Sequence, residues 1–300
     1  MVNDKFRKQL PLYLMLLPGM IVVFVYSYIP MIGIVIAFQR FIPAKGLFGP
    51  QEWVGLGNFR YILTLPDTYK ILRNTVFIAG MKIIAGLVIP IVIALLLNEV
   101  RKERFKRSVQ TIIYLPYFLS WVIFAGILID ILSPSEGIVN KILESIGLKP
   151  IYFLGDPKWF PYTMVITDLW KNFGFSTIVY LAALTSISPT LYEAAEIDGA
   201  NRWQQTWYIT LPGMRAIIVL LATLSLGSIL NAGFEQIFNL YSPQVYETGD
   251  IIDTFVYRLG LIQAQYGLAT AVGLFKSVVS FGLISLSYYL AYRLADYRIF

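Results

Sequence analysis

The sequence predicts an all-α membrane protein with six transmembrane helices, and three observations lead there. Of 300 residues, 57% are hydrophobic and 14% charged, where soluble domains carry about 25% charged residues. The apolar residues gather into six runs, 12–38, 75–97, 111–132, 161–184, 217–237 and 269–291, each near the ~20 residues that cross a bilayer. The segments between them alternate in basic content, as membrane topology requires. The chain has no Cys and no His. Disulfides, thiolate chemistry and the commonest metal ligand and general base are therefore excluded.

The first run follows Lys5, Arg7 and Lys8, the layout of a signal peptide. Its apolar length exceeds a signal core and no A-x-A cleavage site follows, so it is read as a retained span bent at Pro18, Gly19 and Pro30. Between Gly55 and Thr75, Phe59, Ile62, Leu63, Ile71 and Leu72 recur at near-helical spacing. This predicts an amphipathic interfacial helix leading into the second span. The next connection, "NEVRKERFKRSVQ", holds five basic residues in thirteen. With 1–11, 185–216 and 292–300, the segments on its side hold twelve Lys and Arg in 65 residues, against nine in 95 for 39–74, 133–160 and 238–268. Both termini are therefore expected inside.

Two more outer helices are expected. One is at 137–148, with Ile138, Ile142, Leu143 and Ile146 on one face; the other is at 250–261. Aromatics crowd the span ends in "YLPYFLSW" and "FLGDPKWFPY", an interfacial belt. With no internal repeat and no Gly/Ser linker, 1–300 reads as one domain.

Six ionisable residues fall inside spans: Lys82, Asp130, Asp168, Lys171, Glu235 and Lys276. Each costs about 2.5–3.5 kcal/mol or more near a bilayer centre, so pairing is expected. Asp168 and Lys171 are three apart and can meet. Asp130 lies near a wet span end, and Lys82 and Lys276 could snorkel. Two polar-aromatic clusters stand out: Trp170, Lys171, Asn172 and Phe173, and Asn231, Phe234, Glu235 and Gln236. Rings that pack on sugar C–H faces, with amides and carboxylates for hydroxyls, would suit a carbohydrate. The same residues would equally serve helix–helix packing. Gly174, Ser176, Gly227 and Ser228 read as close-packing positions.

The segment "EAAEIDGANRWQQTWYITLPGMR", Glu193 to Arg215, is polar between two apolar runs. Ser188 suits a helix N-cap and Pro189 the first helical position. Glu193 is expected near the positive end of the dipole. Leu191, Ala194, Ala195 and Ile197 form a small, partly apolar surface, and Gly199 ends the helix. A second short helix, about Arg202 to Tyr208, carries Trp203 and Trp207 on one face, and Leu211-Pro212 closes it. The residues fit either an amphipathic loop resting on lipid or a docking surface for a partner protein.

Glu193, Ala194, Ala195, Gly199, Ile209, Leu211 and Pro212 resemble the EAA signature of permease subunits in type I ABC importers. The longer string "LYEAAEIDGANRWQQTWYITLP" looks like the carbohydrate-importer branch. "WVGLGNF", "NAGFEQIFNLYSPQVYETGDIIDTFVYRLGL" and "LATAVGLFKSV" resemble the LplB-type polysaccharide permeases, relatives of the maltose permease subunits. The resemblance implies a type I ABC importer permease fold in the plasma membrane of a prokaryote. It also implies a cytoplasmic coupling segment, 185–215, docking an ATP-binding subunit through Glu193, Ala194, Ala195, Asp198, Gly199, Ile209, Leu211 and Pro212. The implied partners are two ATP-binding subunits carrying ATP and Mg, an extracytoplasmic solute-binding protein, and a second permease subunit, paralogous or identical.

The substrate implied is an oligosaccharide or polysaccharide fragment. Its path would draw on Trp170, Lys171, Asn172, Asn231, Phe234, Glu235 and Gln236. Lys171 and Lys276 would suit uronic acids if they line the path, and the outer helices at 55–75 and 250–261 would help dock the binding protein. A P-loop needs Lys directly after Gly, and no Gly-Lys pair occurs in the chain. ATP hydrolysis is therefore assigned to partner chains, and no cofactor or metal to this one. A proton-coupled secondary transporter would use the intramembrane carboxylates but leaves the EAA string unexplained. A membrane enzyme finds no motif.

Overall fold

A computed structural model describes residues 2–295. Their Cα positions form two compact units, Met1–Leu65 with Val256–Phe275, and Pro66–Phe255 with Lys276–Phe300.

In the first unit, α1 (Val2–Val23) runs through a π turn, Phe24–Tyr28, into a 3-10 stretch, Ile29–Phe38. Gln9–Phe38 is one apolar helix of 30 residues. Pro11 and Pro18 lie inside α1, and the helix changes type ahead of Pro30. Pro30 has no N–H to give, and the Ile29 N–H reaches five residues back to the Phe24 carbonyl. The π turn takes up the mismatch. A two-residue antiparallel ladder follows, β1 (Gln39–Arg40) with β2 (Glu52–Trp53), too short to leave a sequence period. Helix α2 (Gly57–Thr64) is tied back by the Asn58 amide, which donates to the carbonyls of Ala37 and Gln39 at 2.8 and 3.1 Å.

In the second unit, α3 is a 34-residue helix, Pro66–Glu99. The single amphipathic helix expected at 55–75 is therefore two pieces, α2 and the first turns of α3. Leu65 between them is extended (φ −70°, ψ 128°), as the residue before a proline prefers. The third apolar run is broken as well. Helix α4 (Glu103–Tyr114) continues as a 3-10 turn to Phe118, and α5 (Trp121–Ile131) leaves at 109°. Pro116 and the extended Leu119 stop the first limb, and Ser120 caps the second by accepting the Ile123 N–H at 3.3 Å. Helix α6 (Ile138–Ser145) forms where expected. Helix α7 (Phe160–Thr185) is the fourth span, and α8 (Pro189–Ile197) departs from it at 67°.

The fifth run departs from expectation in two ways. Helix α9 (Arg202–Gln205) does not close at Leu211-Pro212. It passes through a π turn, Thr206–Thr210, into α10 (Leu211–Gly227), so Arg202–Gly227 is one apolar helix of 26 residues. Leu211 donates to the Thr206 carbonyl and Pro212 follows, the same arrangement as at Pro30. The helix then stops at Gly227 rather than running to 237. Gly233 takes a left-handed φ of +93° and starts α11 (Phe234–Leu240). Short helices α12 (Tyr246–Gly249) and α13 (Ile252–Tyr257) and a π turn, Arg258–Ile262, lead to α14 (Tyr266–Ala295). Residues 296–300 of the expected inner C-terminal segment lie outside the described residues.

One buried cluster joins Ile78, Phe124, Leu128, Phe160, Met164 and Ile237; another joins Ala94, Tyr180, Leu184 and Met214. Two glycines permit close approach: a Cβ on Gly174 would overlap the Ile113 carbonyl, and one on Gly227 would meet the Ile284 side chain. Asp130 is exposed at the end of α5.

Candidate functional site

Two regions concentrate the residues singled out by sequence. The first begins where α7 ends. Ser188 occupies the N-cap of α8 with Pro189 next, but its hydroxyl bonds to the Thr190 hydroxyl (2.8 Å) rather than to a backbone N–H. Glu193 is the fifth of nine helical residues, and no acidic residue lies in the first turn. The expected dipole interaction is therefore absent at Glu193, since that field fades beyond the terminal turn.

The other end of α8 is a Schellman closure. Gly199 at φ +78° donates to the Glu196 carbonyl (3.1 Å), and Ala200 to the Ala195 carbonyl (2.8 Å). Asn201 then opens α9 with a reciprocal cap: its Oδ1 accepts the Gln204 N–H at 2.9 Å, and Gln204 Oε1 accepts the Asn201 N–H at 2.8 Å. This box was legible as Asn-x-x-Gln and was missed. Arg202 pairs with Glu99 at the end of α3, and the Tyr192 and Thr210 hydroxyls bond at 3.0 Å. The two short helices are thereby fastened to α3 and to each other.

What faces outward mixes large apolar side chains with acidic ones. Ile197 is 87% exposed and Tyr208 80%, with Leu191, Trp203 and Trp207 exposed beside them. The indoles of Trp203 and Trp207 meet edge to face at 5.9 Å, on one face as expected. Glu193, Ala194, Asp198 and Gly199 are exposed and Ala195 half-buried. Ile209, Leu211 and Pro212 belong instead to the helix that becomes α10, the first two half-buried and Pro212 exposed.

The second region is a polar cavity of about 250 Å³, lined by Lys82, Asp168, Ser176, Ser225, Ser228 and Asn231 among others. Lys82 is its anchor. The ammonium donates to the Ala232 carbonyl at 2.7 Å and to Gln236 Oε1, and lies 3.4 Å from the Asp168 carboxylate. Gln236 in turn donates to the Met164 carbonyl and the Thr167 hydroxyl, both at 2.8 Å. The partner of Asp168 is therefore Lys82 rather than Lys171, and Lys82 does not snorkel. Lys171 turns to the broken third run, donating to the carbonyls of Pro116, Tyr117 and Leu119 at 3.3, 3.0 and 2.6 Å. A helix end leaves its last carbonyls without intrahelical partners, and the Pro116 carbonyl is shared with the Leu119 N–H at 3.2 Å. Lys276 pairs with Asp253. Neither Lys171 nor Lys276 thus presents an uncommitted ammonium to a uronic acid.

Of the other residues expected beside a sugar, Asn231 lines the cavity, its Oδ1 accepting the Gly233 N–H at 3.4 Å. Trp170 is half-exposed, with its ring edge-on to Phe124 at 5.2 Å. Asn172 is half-buried, Phe234 stacks on Phe238 at 5.2 Å, and Glu235 is exposed in the first turn of α11. Gln236 is fully buried in packing. Ser176 and Ser228, taken as close-packing positions, line the cavity, and Ser225 was missed. The three-residue spacing of Ser225, Ser228 and Asn231 was its signal. Hydroxyls, an amide and a carboxylate held by a buried ammonium suit a hydroxyl-rich solute. Among the described residues, no three acidic side chains gather as a metal site would require.

Residues 86–299 match the family model of the binding-protein-dependent transport system inner membrane component. The chain is 42% identical to the polygalacturonan/rhamnogalacturonan transport system permease protein YteP of Bacillus subtilis, over 99% of this chain and 92% of that protein. It is also 42% identical to Protein LplB of Bacillus subtilis, over 93% and 88%. Its fold matches a crystal structure of a bacterial ABC transporter involved in the import of the acidic polysaccharide alginate. There the TM-score is 0.90 and the identity 41%, with 98% of this chain and 99% of that one covered. A bacterial alginate ABC transporter in complex with alginate pentasaccharide-bound periplasmic protein matches at TM-score 0.89 and 41% identity, covering 97% of each chain.

Proposed function

Because the chain belongs to the binding-protein-dependent transport system inner membrane components, the permease subunits of ABC importers, we propose that its cargo is an acidic, uronate-containing oligosaccharide. One relative and both solved structures named above carry polygalacturonan/rhamnogalacturonan or alginate in their names. In this reading the polar cavity forms part of the path, and Ser225, Ser228, Asn231 and Asp168 take sugar hydroxyls. Trp170, Asn172, Phe234 and Glu235 are further candidates for sugar contact along the path. Lys82 holds the Asp168 carboxylate in place; Lys171 ties down the carbonyls at the break in the third run, and Gln236 the Met164 carbonyl of α7.

Both termini and the segment 185–215 face the cytoplasm. Helix α8 is the coupling element: Glu193, Ala194, Ala195, Asp198 and Gly199 enter a cleft of an ATP-binding subunit, and Ile209, Leu211 and Pro212 carry the push into α10. Two such subunits bind and hydrolyse ATP with Mg. A second permease chain, of a paralogous kind, completes the path, and a periplasmic binding protein delivers the sugar. The observation that carries the coupling assignment is α8 itself. It is set 67° off α7, fastened to α3 through its neighbour Arg202, and leaves Ile197 almost wholly exposed.

The test is oligogalacturonate-stimulated ATPase activity of the co-purified complex in liposomes with its binding protein. Stimulation of the native complex, and its loss with Glu193→Lys plus Gly199→Pro, supports the reading. Uptake by this chain alone, unaffected by those substitutions, would overturn it.

A further inference from the structure

The unit formed by Met1–Leu65 and Val256–Phe275 has a cavity of its own, about 510 Å³. It is lined by Gln39, Arg40, Phe41, Tyr61, Gln265 and Tyr266, with Asn58 and Gly267 in its wall. We propose that this cavity is a second carbohydrate subsite, holding one uronate residue of the incoming chain on the outer side of the membrane. The proposal rests on the acidic-oligosaccharide reading above and on the topology that places this unit's loops outside.

Four observations point to a sugar. The first is an acceptor in want of a donor. Gln39 Oε1 is buried and has no hydrogen-bond partner among the described residues. Buried polar atoms are ordinarily satisfied, and a sugar hydroxyl supplies the missing O–H. The second is the aromatic wall. Phe41 and Tyr266 meet edge to face at 6.0 Å, and Tyr61 is half-exposed at the rim. Such rings offer faces for apolar C–H surface and phenols for hydroxyls. The third is Arg40, which lines the cavity and pairs with Glu52 at 3.0 Å in a solvent-exposed ion pair. Exposed pairs hold weakly, and a guanidinium fork matches a carboxylate bidentately, so a uronate carboxylate can exchange for Glu52.

The fourth is that the wall is built and held. The Asn58 amide clamps the carbonyls of Ala37 and Gln39. Gly267 lets the first turn of α14 lie against them: a Cβ there would sit 2.7 Å from the Gln39 carbonyl oxygen and 3.0 Å from Asn58 Nδ2. Just before that turn, Ala264 takes φ +53°, a left-handed conformation that is uncommon for a residue with a side chain. The bend delivers Gln265 and Tyr266 to the cavity. Strain of this kind gathers where a binding geometry must be held.

The experiment uses the assembled complex in nanodiscs with its binding protein and a tetragalacturonate carrying a photoreactive diazirine. Labelled peptides are mapped by mass spectrometry, and ATPase stimulation is measured on galacturonate tetramers with native and reduced carboxyls. The subsite predicts labels within 39–61 and 264–267. Gln39→Leu with Tyr266→Leu should remove them and raise the KM for tetramer about tenfold, the size of one or two lost contacts. Maximal stimulation should hold, and Tyr266→Phe, which keeps the ring and loses only the phenol, should raise KM less than Tyr266→Leu. Arg40→Gln should raise KM for the acidic tetramer and leave the carboxyl-reduced one unchanged. Labelling confined to the polar cavity around Lys82 and Asp168, with KM unmoved by these variants, overturns the subsite while the acidic-oligosaccharide reading stands. If neither tetramer labels or stimulates the native complex, both fall together.

Discussion

Lys82 and Lys171 share a role visible only at the level of single atoms. Each places its ammonium on backbone carbonyls exposed by a helix break in another element, Ala232 for Lys82 and Pro116, Tyr117 and Leu119 for Lys171. Backbone without helical partners is tolerated at membrane depth only when protein groups satisfy it. Lys82→Ala should therefore leave Asp168, Gln236 and the Ala232 carbonyl without their donor. Removing one partner of a buried pair costs about 3–5 kcal/mol, and Asp168 keeps some exposure to the cavity, which favours the lower end. The melting temperature of the purified complex should fall clearly, and Lys82→Met with Asp168→Asn should recover part of the loss. An unchanged melting curve for Lys82→Ala would contradict this role. Gly199 offers a graded test. At φ +78°, Asn is tolerated far better than a β-branched residue. Gly199→Asn should keep sugar-stimulated ATPase activity and Gly199→Val should lose most of it; equal activities would remove the backbone argument.

At the scale of elements, two prolines follow one rule. A π turn ends two residues before Pro30 and again two residues before Pro212, and in each case the intervening N–H bonds five residues back. This explains why Leu211-Pro212 looked like a stop in the sequence yet lies within a 26-residue helix. Pro212→Ala restores an N–H that can bond to the Tyr208 carbonyl, so hydrogen exchange across 206–212 should slow; faster exchange would argue against the mechanism. The contact of α7 with α4 is set by Gly174, where a Cβ would overlap the Ile113 backbone carbonyl. A carbonyl cannot rotate aside as a side chain can. Gly174→Ala should destabilise the complex by about 1–3 kcal/mol, read by thermal unfolding, and a neutral result would show that the helices can separate freely.

For the whole molecule, topology is the property most directly testable, because a chain without cysteine is ready for single-cysteine labelling. Arg104→Cys and Asp198→Cys should react only with reagent on the cytoplasmic face. Phe48→Cys and Ile146→Cys, both at well-exposed positions, should react only from outside. Labelling of Asp198→Cys from outside would invert the orientation and remove α8 from reach of any ATPase.

What the sequence determined by itself was the local part. Six apolar runs, the polar segment from Ser188 to Pro212, the missing catalytic side chains and the family resemblance are all written within stretches of ten to thirty residues, where hydropathy, caps and turn glycines act. Gly199 and the helices at Pro189–Ile197 and Ile138–Ser145 were legible for that reason. The breaks at Leu119 and after Gly227 were not, and neither were the partners of Lys82, Lys171 and Gln236. Each apolar run reads on past its break, and whether a chain can leave the helix there depends on a donor from elsewhere. Lys82 meets Ala232 across 150 residues and Lys171 meets Leu119 across 52. Only the tertiary structure decides such pairings, because a buried ammonium binds the acceptors that packing brings to it, and sequence spacing carries no record of which those are.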